Sequence, residues 1–421
     1  MKILDEYNEK FNEDKSNNNK NNKIINYNHT NASKNKTIYM HYKRKNINKK
    51  LIQFHNISKY INYNYLTIKY PFNLLLLSHI ILLFPSLYLS KNILSLRKLD
   101  FYSEINIIIK GTGDQFIISK GIEGKSGFSG SLPNQLYLNG EQISVKAILY
   151  LTNEENNVTL RWNSPLTTGN SMFNGVANVK KIDVSNFKGS LLKDMKWMFA
   201  NFDSLTSINF NNFDTSLVTD FFGLFANSFS LISLNLNSFN TTKVTNMYNM
   251  FSNCNSLISL HLNNFDTTKV TNINNMFSNC HSLISLNLNN FDTKNVTNMN
   301  NMFSNCHSLI SLDLNFDTSI VTSMSEMFLN CLSLISLDLS SFNTTIVTSM
   351  ERMFSNCHSL IYINLNSFTE TKLSNLYNIV HNTSNSLIYC IKEDNAPKIT
   401  RAIKLILQKN DFSNICFQES K

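Results

Sequence analysis

Residues 270–293 of the chain read VTNINNMFSNCHSLISLNLNNFDT, and close copies of this stretch follow one another through much of the 421-residue sequence. The phenylalanine of its Met-Phe pair, Phe277, recurs every 26 residues, with one step of 25, at Phe173, Phe199, Phe225, Phe251, Phe303, Phe328 and Phe354. The later phenylalanine, Phe291, recurs with the same period at Phe187, Phe213, Phe239, Phe265, Phe316, Phe342 and Phe368. Two columns that share one period and one deletion predict a repeat architecture.

Each repeat divides into two halves. The apolar residues of the first half are spaced as in a short α- or 3₁₀-helical piece: Val270, Ile273, Met276 and Phe277. The second half, Leu283-x-x-Leu286-x-Leu288, predicts a short strand. Burying about seven apolar side chains would stabilise a lone coil by ~10–20 kcal/mol, whereas the conformational entropy lost on ordering its residues costs ~39 kcal/mol. Neighbouring coils must therefore share their core. We expect an α/β repeat fold, a leucine-rich-repeat solenoid of about eight 26-residue coils with a parallel β-sheet face.

The ends of such a solenoid need covering. Residues 103–170 hold apolar segments and most of the glycines, which predicts a β-rich N-terminal cap before the solenoid at 171–385. Residues 386–421 are expected to form a C-terminal cap with a helix, because the apolar residues after Pro397 have helical spacing. No proline occurs between Pro165 and Pro397, in agreement with an uninterrupted backbone ladder.

The positive net charge of the chain, +9, belongs to its beginning. Residues 1–99 contain 17 Lys and Arg against 5 Asp and Glu, whereas residues 100–421 contain 21 against 24. Residues 1–70 are rich in Asn and Lys and show no apolar periodicity, so we expect a disordered basic leader. The remainder is almost neutral, and no nucleic-acid partner is expected.

Residues 71–90 form the one long apolar stretch. Its central part, residues 72–89, would span about 27 Å as a helix, close to the thickness of a bilayer core. It is expected to be a transmembrane signal anchor or a recessed signal peptide, with a buried core helix as the remaining alternative. Lys and Arg are denser before it than after it, which places the N-terminus in the cytosol. The chain is therefore expected at the cell surface as a single-pass membrane protein, or secreted.

With these residues in view, the repeats resemble the BspA-like family of leucine-rich-repeat surface proteins. The matching motif, Val-Thr-x-Met-x-x-Met-Phe-x-x-Cys-x-Ser-Leu-x-x-Leu-x-Leu-x-x-Phe-Asp-Thr, is complete at residues 244–267, and the resemblance extends over roughly residues 105–390. It implies a non-enzymatic protein that mediates adhesion or binding to protein or glycan partners on another cell or on the matrix. The alternative is an intracellular or endomembrane scaffold for protein–protein interaction.

Outward strand positions give the candidate partner-binding residues. They are Ser233, Asn235, Ser259, His261, Ser285, Asn287, Ser311, Asp313, Ser336 and Asp338. Small polar residues on an exposed sheet can equally serve solvation alone. Ile258 and its counterparts form another column, which strand alternation places inward; a bulge would instead turn it outward and create an apolar stripe typical of a partner site.

Candidate chemical sites are few. Five cysteines recur once per coil, as a buried column of thiols would, and the adjacent histidines are expected to point away from them: Cys254, Cys280, Cys306, Cys331 and Cys357. Cys390 and Cys416 lie outside this ladder and could form a disulfide. The Asp or Asn of the recurring Phe-Asp-Thr turn is expected to bond turn amides. No metal-binding pair, nucleotide loop or Ser/His/Asp set occurs, so we expect no catalytic residue, cofactor or metal.

Overall fold

A computed structural model describes residues 103–119, 121 and 127–407, which lie within one compact unit, Ser95–Lys421. The leader at 1–70 and the apolar segment at 71–90 fall outside the described residues. Within that part of the chain there are fourteen short strands and one α-helix, α1 (Pro397–Leu407). The strands are β1 (Ser103–Lys110), β2 (Gly113–Phe116), β3 (Gln135–Leu138), β4 (Glu141–Ile143), β5 (Ile148–Leu151), β6 (Glu155–Trp162), β7 (Val179–Asp183), β8 (Ser207–Asn209), β9 (Ser233–Leu234), β10 (Ser259–Leu260), β11 (Ser285–Leu286), β12 (Ser336–Asp338), β13 (Tyr362–Asn364) and β14 (Ile388–Cys390).

A six-stranded sheet with the order β4-β3-β6-β1-β7-β8 begins the described chain. Strands β1 and β6 pair antiparallel over eight residue pairs, and β2 pairs with β5 in a separate two-stranded sheet. In β1, Ile105, Ile107 and Ile109 are fully buried, as period-two alternation requires. Strand β7 pairs antiparallel with β1 and parallel with β8. The sheet therefore continues without interruption into the repeats.

In the repeats, strands β7 and β8, strands β9 to β11 and strands β12 to β14 pair in parallel with their counterparts one repeat away. Ser259 lies opposite Ser285, and single bridges such as Asn287 to Asp313 continue the ladder where strands are shortest. A second row of parallel bridges joins the coils elsewhere on their circumference: Thr168, Asp194, Asp220, Asn246 and Asn272. The repeats thus form a β-solenoid of about eight coils with parallel sheets, in agreement with the sequence period.

The helical piece predicted for each coil is wrong. Residues 270–280 form turns rather than helix, because Asn275 and Asn279 have φ angles of 54° and 61°. Left-handed residues at this spacing end any α-helix. The N–H of Phe277 donates instead to the carbonyl oxygen of Met302 in the next coil, at 3.0 Å. The turns at residues 270–280 and their counterparts, which we call the turn wall, are consequently hydrogen bonded from coil to coil, as the parallel strands are.

Asparagine occupies most of these left-handed positions, and one column forms a ladder of side-chain amides. Asn305 Nδ2 donates to Asn279 Oδ1 at 2.7 Å, and Asn330 Nδ2 donates to Asn305 Oδ1. Equivalent bonds join other members of the column, Asn201, Asn227, Asn253, Asn356 and Asn382. Asn201 Nδ2 also donates to Asn174 Oδ1, next to the column. Asparagine suits the column because it tolerates the left-handed conformation and carries both a donor and an acceptor.

One continuous apolar interior runs through the coils. The rings of Phe251 and Phe277 stack with centroids 5.6 Å apart and planes 3° from parallel, and Phe277 stacks on Phe303 at 5.7 Å and 5°. Columns of buried Met, Val and Leu fill the remaining space. Each coil therefore completes the burial of its neighbours, which explains why the phenylalanine period is so regular.

The isoleucine column lies on the outside, and its predicted burial is wrong. Ile258 is 46% exposed, although simple alternation would place it inward with Leu260. Leu257 and Leu260 are both buried at a spacing of three, so two successive residues, Ile258 and Ser259, face outward between them. The alternation shifts by one residue at this point, and the outward arrangement considered for the column is the correct one.

Helix α1 follows the last strand and contributes Ile399 and Ile403 to the core. Glu370 Oε2 accepts the backbone N–H groups of Lys398 and Ile399 at 2.8 and 3.1 Å, which satisfies donors that the first helical turn leaves unpaired. Helix α1 is short and amphipathic. No helix in the described part of the chain is long and apolar enough to cross a bilayer.

Candidate partner-binding surface

The ten candidate partner-binding residues lie together on the outer side of the parallel strands, and all are exposed. In each coil they flank a buried leucine, as Ser259 and His261 flank Leu260. They form a serine column, Ser233, Ser259, Ser285, Ser311 and Ser336, and a mixed column, Asn235, His261, Asn287, Asp313 and Asp338. The geometry gives them one shared face, and their part in binding stays a prediction.

Several side chains of the mixed column also hold their own backbone. Asn235 Oδ1 accepts the N–H of Asn237 at 3.1 Å, and Asp338 Oδ1 accepts the N–H of Ser340 at 2.9 Å. A bond from a side-chain oxygen to the amide two residues later stabilises a turn. Their residue types are thus explained in part by the fold.

Next to the serine column runs a row of exposed isoleucines, which we call the isoleucine stripe: Ile232, Ile258, Ile284, Ile310, Ile335 and Ile361. Their exposed fractions are 39–48%. The N–H of Ile284 donates to the carbonyl oxygen of Ile258 at 3.2 Å, and the same bond recurs along the stripe, so the side chains stand one coil apart. A contiguous apolar row of this kind on a soluble surface is typical of an interaction site.

The isoleucine stripe forms one side of a groove of about 1300 Å³. The opposite side is a serine wall, one residue per coil: Ser230, Ser256, Ser282, Ser308, Ser333 and Ser359. With Thr206 in the coil before, every described residue of the lining is Ser, Thr or Ile. The groove offers hydroxyl groups and aliphatic carbon without charge, which suits a neutral partner. Sequence analysis missed the serine wall, whose signal is the Ser-Leu-Ile triplet repeated in each coil.

Two histidines stand beside the serine wall. The rings of His281 and His307 stack with centroids 4.5 Å apart and planes 1° from parallel. Burial, and secondarily the neighbouring His281, lower the pKa of His307, which favours the neutral imidazole. In the same column, His358 Nε2 lies 3.0 Å from Asn382 Nδ2.

The cysteine ladder is confirmed as a column of buried thiols. Each sulfur donates to a phenylalanine carbonyl, as Cys280 Sγ does to Phe251 O at 3.2 Å. Desolvation raises the pKa of Cys306 to about 12, so the thiol stays protonated. Cys280 is fully buried whereas His281 is partly exposed. Across residues 103–119, 121 and 127–407, no three His, Cys, Asp or Glu side chains are grouped to hold a metal ion.

The Phe-Asp-Thr turns use their acidic side chains locally. Asp266 Oδ1 accepts the N–H of Thr268 at 2.9 Å and its hydroxyl at 2.6 Å, and Asn343 Oδ1 accepts the N–H of Thr345 at 3.0 Å. Hydrogen bonds from Thr268 lower the pKa of Asp266. The expected bonding of Asp or Asn to turn amides is therefore confirmed.

The disulfide considered for Cys390 and Cys416 stays a prediction. Cys390 is buried at the end of β14, with its sulfur 3.8 Å from the hydroxyl oxygen of Tyr362. Cys416 lies outside the described residues.

Residues 167–285 and 282–389 match a family described as "Mycoplasma protein of unknown function, DUF285". Because these matches extend over more than half of the chain, the chain belongs to this family. No curated protein and no solved structure matches it significantly.

Proposed function

We propose that this member of the DUF285 family is a non-enzymatic cell-surface or secreted protein of the BspA-like leucine-rich-repeat type. Its solenoid adheres to protein or glycan partners on another cell or on the matrix. The single observation that carries the proposal is the isoleucine stripe, six half-exposed aliphatic side chains in successive coils. The exposed serine and mixed columns beside it extend the contact surface.

The energetics of the stripe favour a binding role. Full burial of one isoleucine contributes roughly 1.5–3 kcal/mol. Since the six side chains are each a little under half exposed, covering them all would contribute about 4–8 kcal/mol before the entropic cost of association. A long surface of modest contacts fits adhesion, and its Ser, Thr and Ile lining supplies no acid–base pair for catalysis.

The location rests on the sequence before the solenoid. The apolar segment at 72–89, preceded by many Lys and Arg residues, favours export of the chain that follows it. The leucine-rich-repeat assignment rests on the Leu-x-x-Leu-x-Leu spacing, whose last two leucines flank an outward residue in each coil.

Thiol labelling of intact cells tests this proposal. Ile284→Cys places a thiol on the isoleucine stripe, and the matched control Leu286→Cys places one on a side chain that is 6% exposed in the same coil. A membrane-impermeant maleimide should label the first variant on intact cells and leave the second unlabelled. Labelling of Ile284→Cys only after permeabilisation would overturn the surface location.

That second result would instead support an intracellular or endomembrane interaction scaffold. The observation favouring this alternative is the ladder of five buried thiols, since reduced cysteines are common in reducing compartments. The groove would then serve a partner inside the cell.

A further inference from the structure

We propose that the isoleucine stripe of one chain binds the isoleucine stripe of a second copy, with the two solenoids antiparallel. This goes beyond the proposed function, because it holds on either side of a membrane. The stripe presents one isoleucine per coil across six coils. A partner that contacts all six must repeat at the same spacing of about 4.8 Å, and a second copy does so by construction.

The six isoleucines are compatible with an isologous contact, in which the same patch serves both chains. A two-fold axis parallel to the strands and passing between Ile284 and Ile310 places each of these opposite the other in the second copy. The same axis places Ile258 opposite Ile335. Every member of the stripe then meets another member, and none is left facing a polar side chain.

Charge complementarity of the mixed column favours this antiparallel arrangement. The mixed column runs along one side of the stripe, and Asn364 continues it by one coil. The two-fold axis sets His261 opposite Asp338 and Asn287 opposite Asp313, twice in each dimer. An imidazole and an amide thus meet the two carboxylates, and no like charges face each other.

A parallel arrangement fits less well. With the two-fold axis along the solenoid, the mixed column would face the residues that immediately precede the serine wall in the second copy. These are Phe229, Asn255, His281, His307, Leu332 and His358. Asp313 would then lie opposite His307, but Asp338 would lie opposite Leu332, and its carboxylate would lose solvent without gaining a donor. The antiparallel pairing leaves neither acidic residue of the column in that position.

The area of the contact indicates a reversible dimer. Six coils at about 4.8 Å extend for about 29 Å, and the five steps from Ser256 to His261 add a width of about 16 Å. The product, about 460 Å² per copy, is below the ~800 Å² per partner of a standard stable interface. We therefore expect association that depends on protein concentration rather than a permanent dimer.

Cross-linking of the full-length chain with a short bismaleimide tests the arrangement. The double variant Ile258→Cys/Ile335→Cys should give a covalent dimer, whereas either single variant should give no more dimer than the unsubstituted chain. The thiols of the cysteine ladder are buried, so they should contribute little cross-linked dimer. A dimer from Ile258→Cys alone would show parallel pairing and overturn the proposal, as would the lack of a dimer in all variants.

Sedimentation equilibrium of the same full-length chain gives an independent test. His261→Asp should weaken dimerisation tenfold or more, because it sets two carboxylates face to face. Adding Asp338→His should restore it, since the column already accepts histidine at His261. Equal circular dichroism spectra would exclude misfolding as the cause. A dimer that ignores His261→Asp, or that the second substitution does not restore, would overturn the proposal.

Discussion

Replacing Asn305 by alanine tests the asparagine ladder. Asn305 has a φ angle of 60°, and this left-handed conformation costs alanine roughly 1–2 kcal/mol. The substitution also removes the bonds that join Asn305 to Asn279 and to Asn330, each contributing about 0.5–1.5 kcal/mol. We therefore expect Asn305→Ala to lower the free energy of unfolding by about 2–5 kcal/mol.

Glycine at the same position separates the two contributions. It adopts a positive φ angle without strain, so Asn305→Gly should lose only side-chain hydrogen bonds, chiefly the two ladder bonds, at about 1–3 kcal/mol. The alanine variant should then be less stable than the glycine variant by about 1–2 kcal/mol. This order is the reverse of the one found inside ordinary helices and strands.

Urea unfolding of the full chain, followed by circular dichroism, measures the difference. With a slope of roughly 3 kcal/mol per molar urea, the midpoint should fall by about 1 M for Asn305→Ala and by clearly less for Asn305→Gly. The control Asn263→Ala, at an exposed asparagine outside the ladder, should change the midpoint by less than about 0.2 M. A glycine variant no more stable than the alanine variant would refute the reasoning.

Three further predictions probe other parts of the coil. Cys306→Ser should fold, because Ser228 already fills the same column; since burial raises the pKa of the Cys306 thiol from near 9 to about 12, its stabilising contribution is complete below pH 9 and is lost as the pH rises toward 12. The unsubstituted chain should therefore lose stability more steeply than Cys306→Ser over that window, and equal slopes in urea titrations would contradict this. Asp266→Asn should change the unfolding free energy by less than about 0.5 kcal/mol and Asp266→Ala lower it by about 1 kcal/mol, because an amide oxygen makes the same turn bond; equal urea midpoints for the two variants would argue against a turn role. Gly223→Asn should destabilise the chain, because a Cβ there would lie 2.7 Å from the Trp197 ring, and adding Trp197→Asn should recover part of the melting temperature, since it relieves the clash but also removes the ring contact with Phe222; no recovery would disprove the clash.

The period and the interior of the solenoid could be predicted from the sequence. The columns of Phe277 and Cys280 require only that apolar residues recur at a fixed spacing and that neighbouring coils share their burial. The turn wall could not be predicted in the same way. The apolar residues from Val270 to Phe277 have helical spacing, but no helix forms because Asn275 and Asn279 are left-handed. Asparagine only tolerates that conformation, and bonds to the neighbouring coils are what fix it here.

The candidate surface was predicted in part. Ser259 and His261 alternate with the buried Leu260 and lie outside, as expected for a strand. Alternation fails for Ile258 because β10 is only two residues long, so the rule of a continuous strand does not extend to the residue before it. The groove depends on that shift, whose signal in the sequence is the spacing of three between Leu257 and Leu260.

Hydrogen exchange resolved to single amides tests the central claim most directly, namely that stacked coils share one hydrogen-bonded interior and hold the isoleucine stripe outside it. The N–H of Phe277 bonds the next coil on the turn wall, and the N–H of Ile284 bonds the previous coil beside the groove. We expect both amides to exchange only through cooperative opening, orders of magnitude more slowly than in an unfolded chain. Exchange of either amide at the unfolded rate under native conditions would contradict the stacked solenoid and the surface built on it.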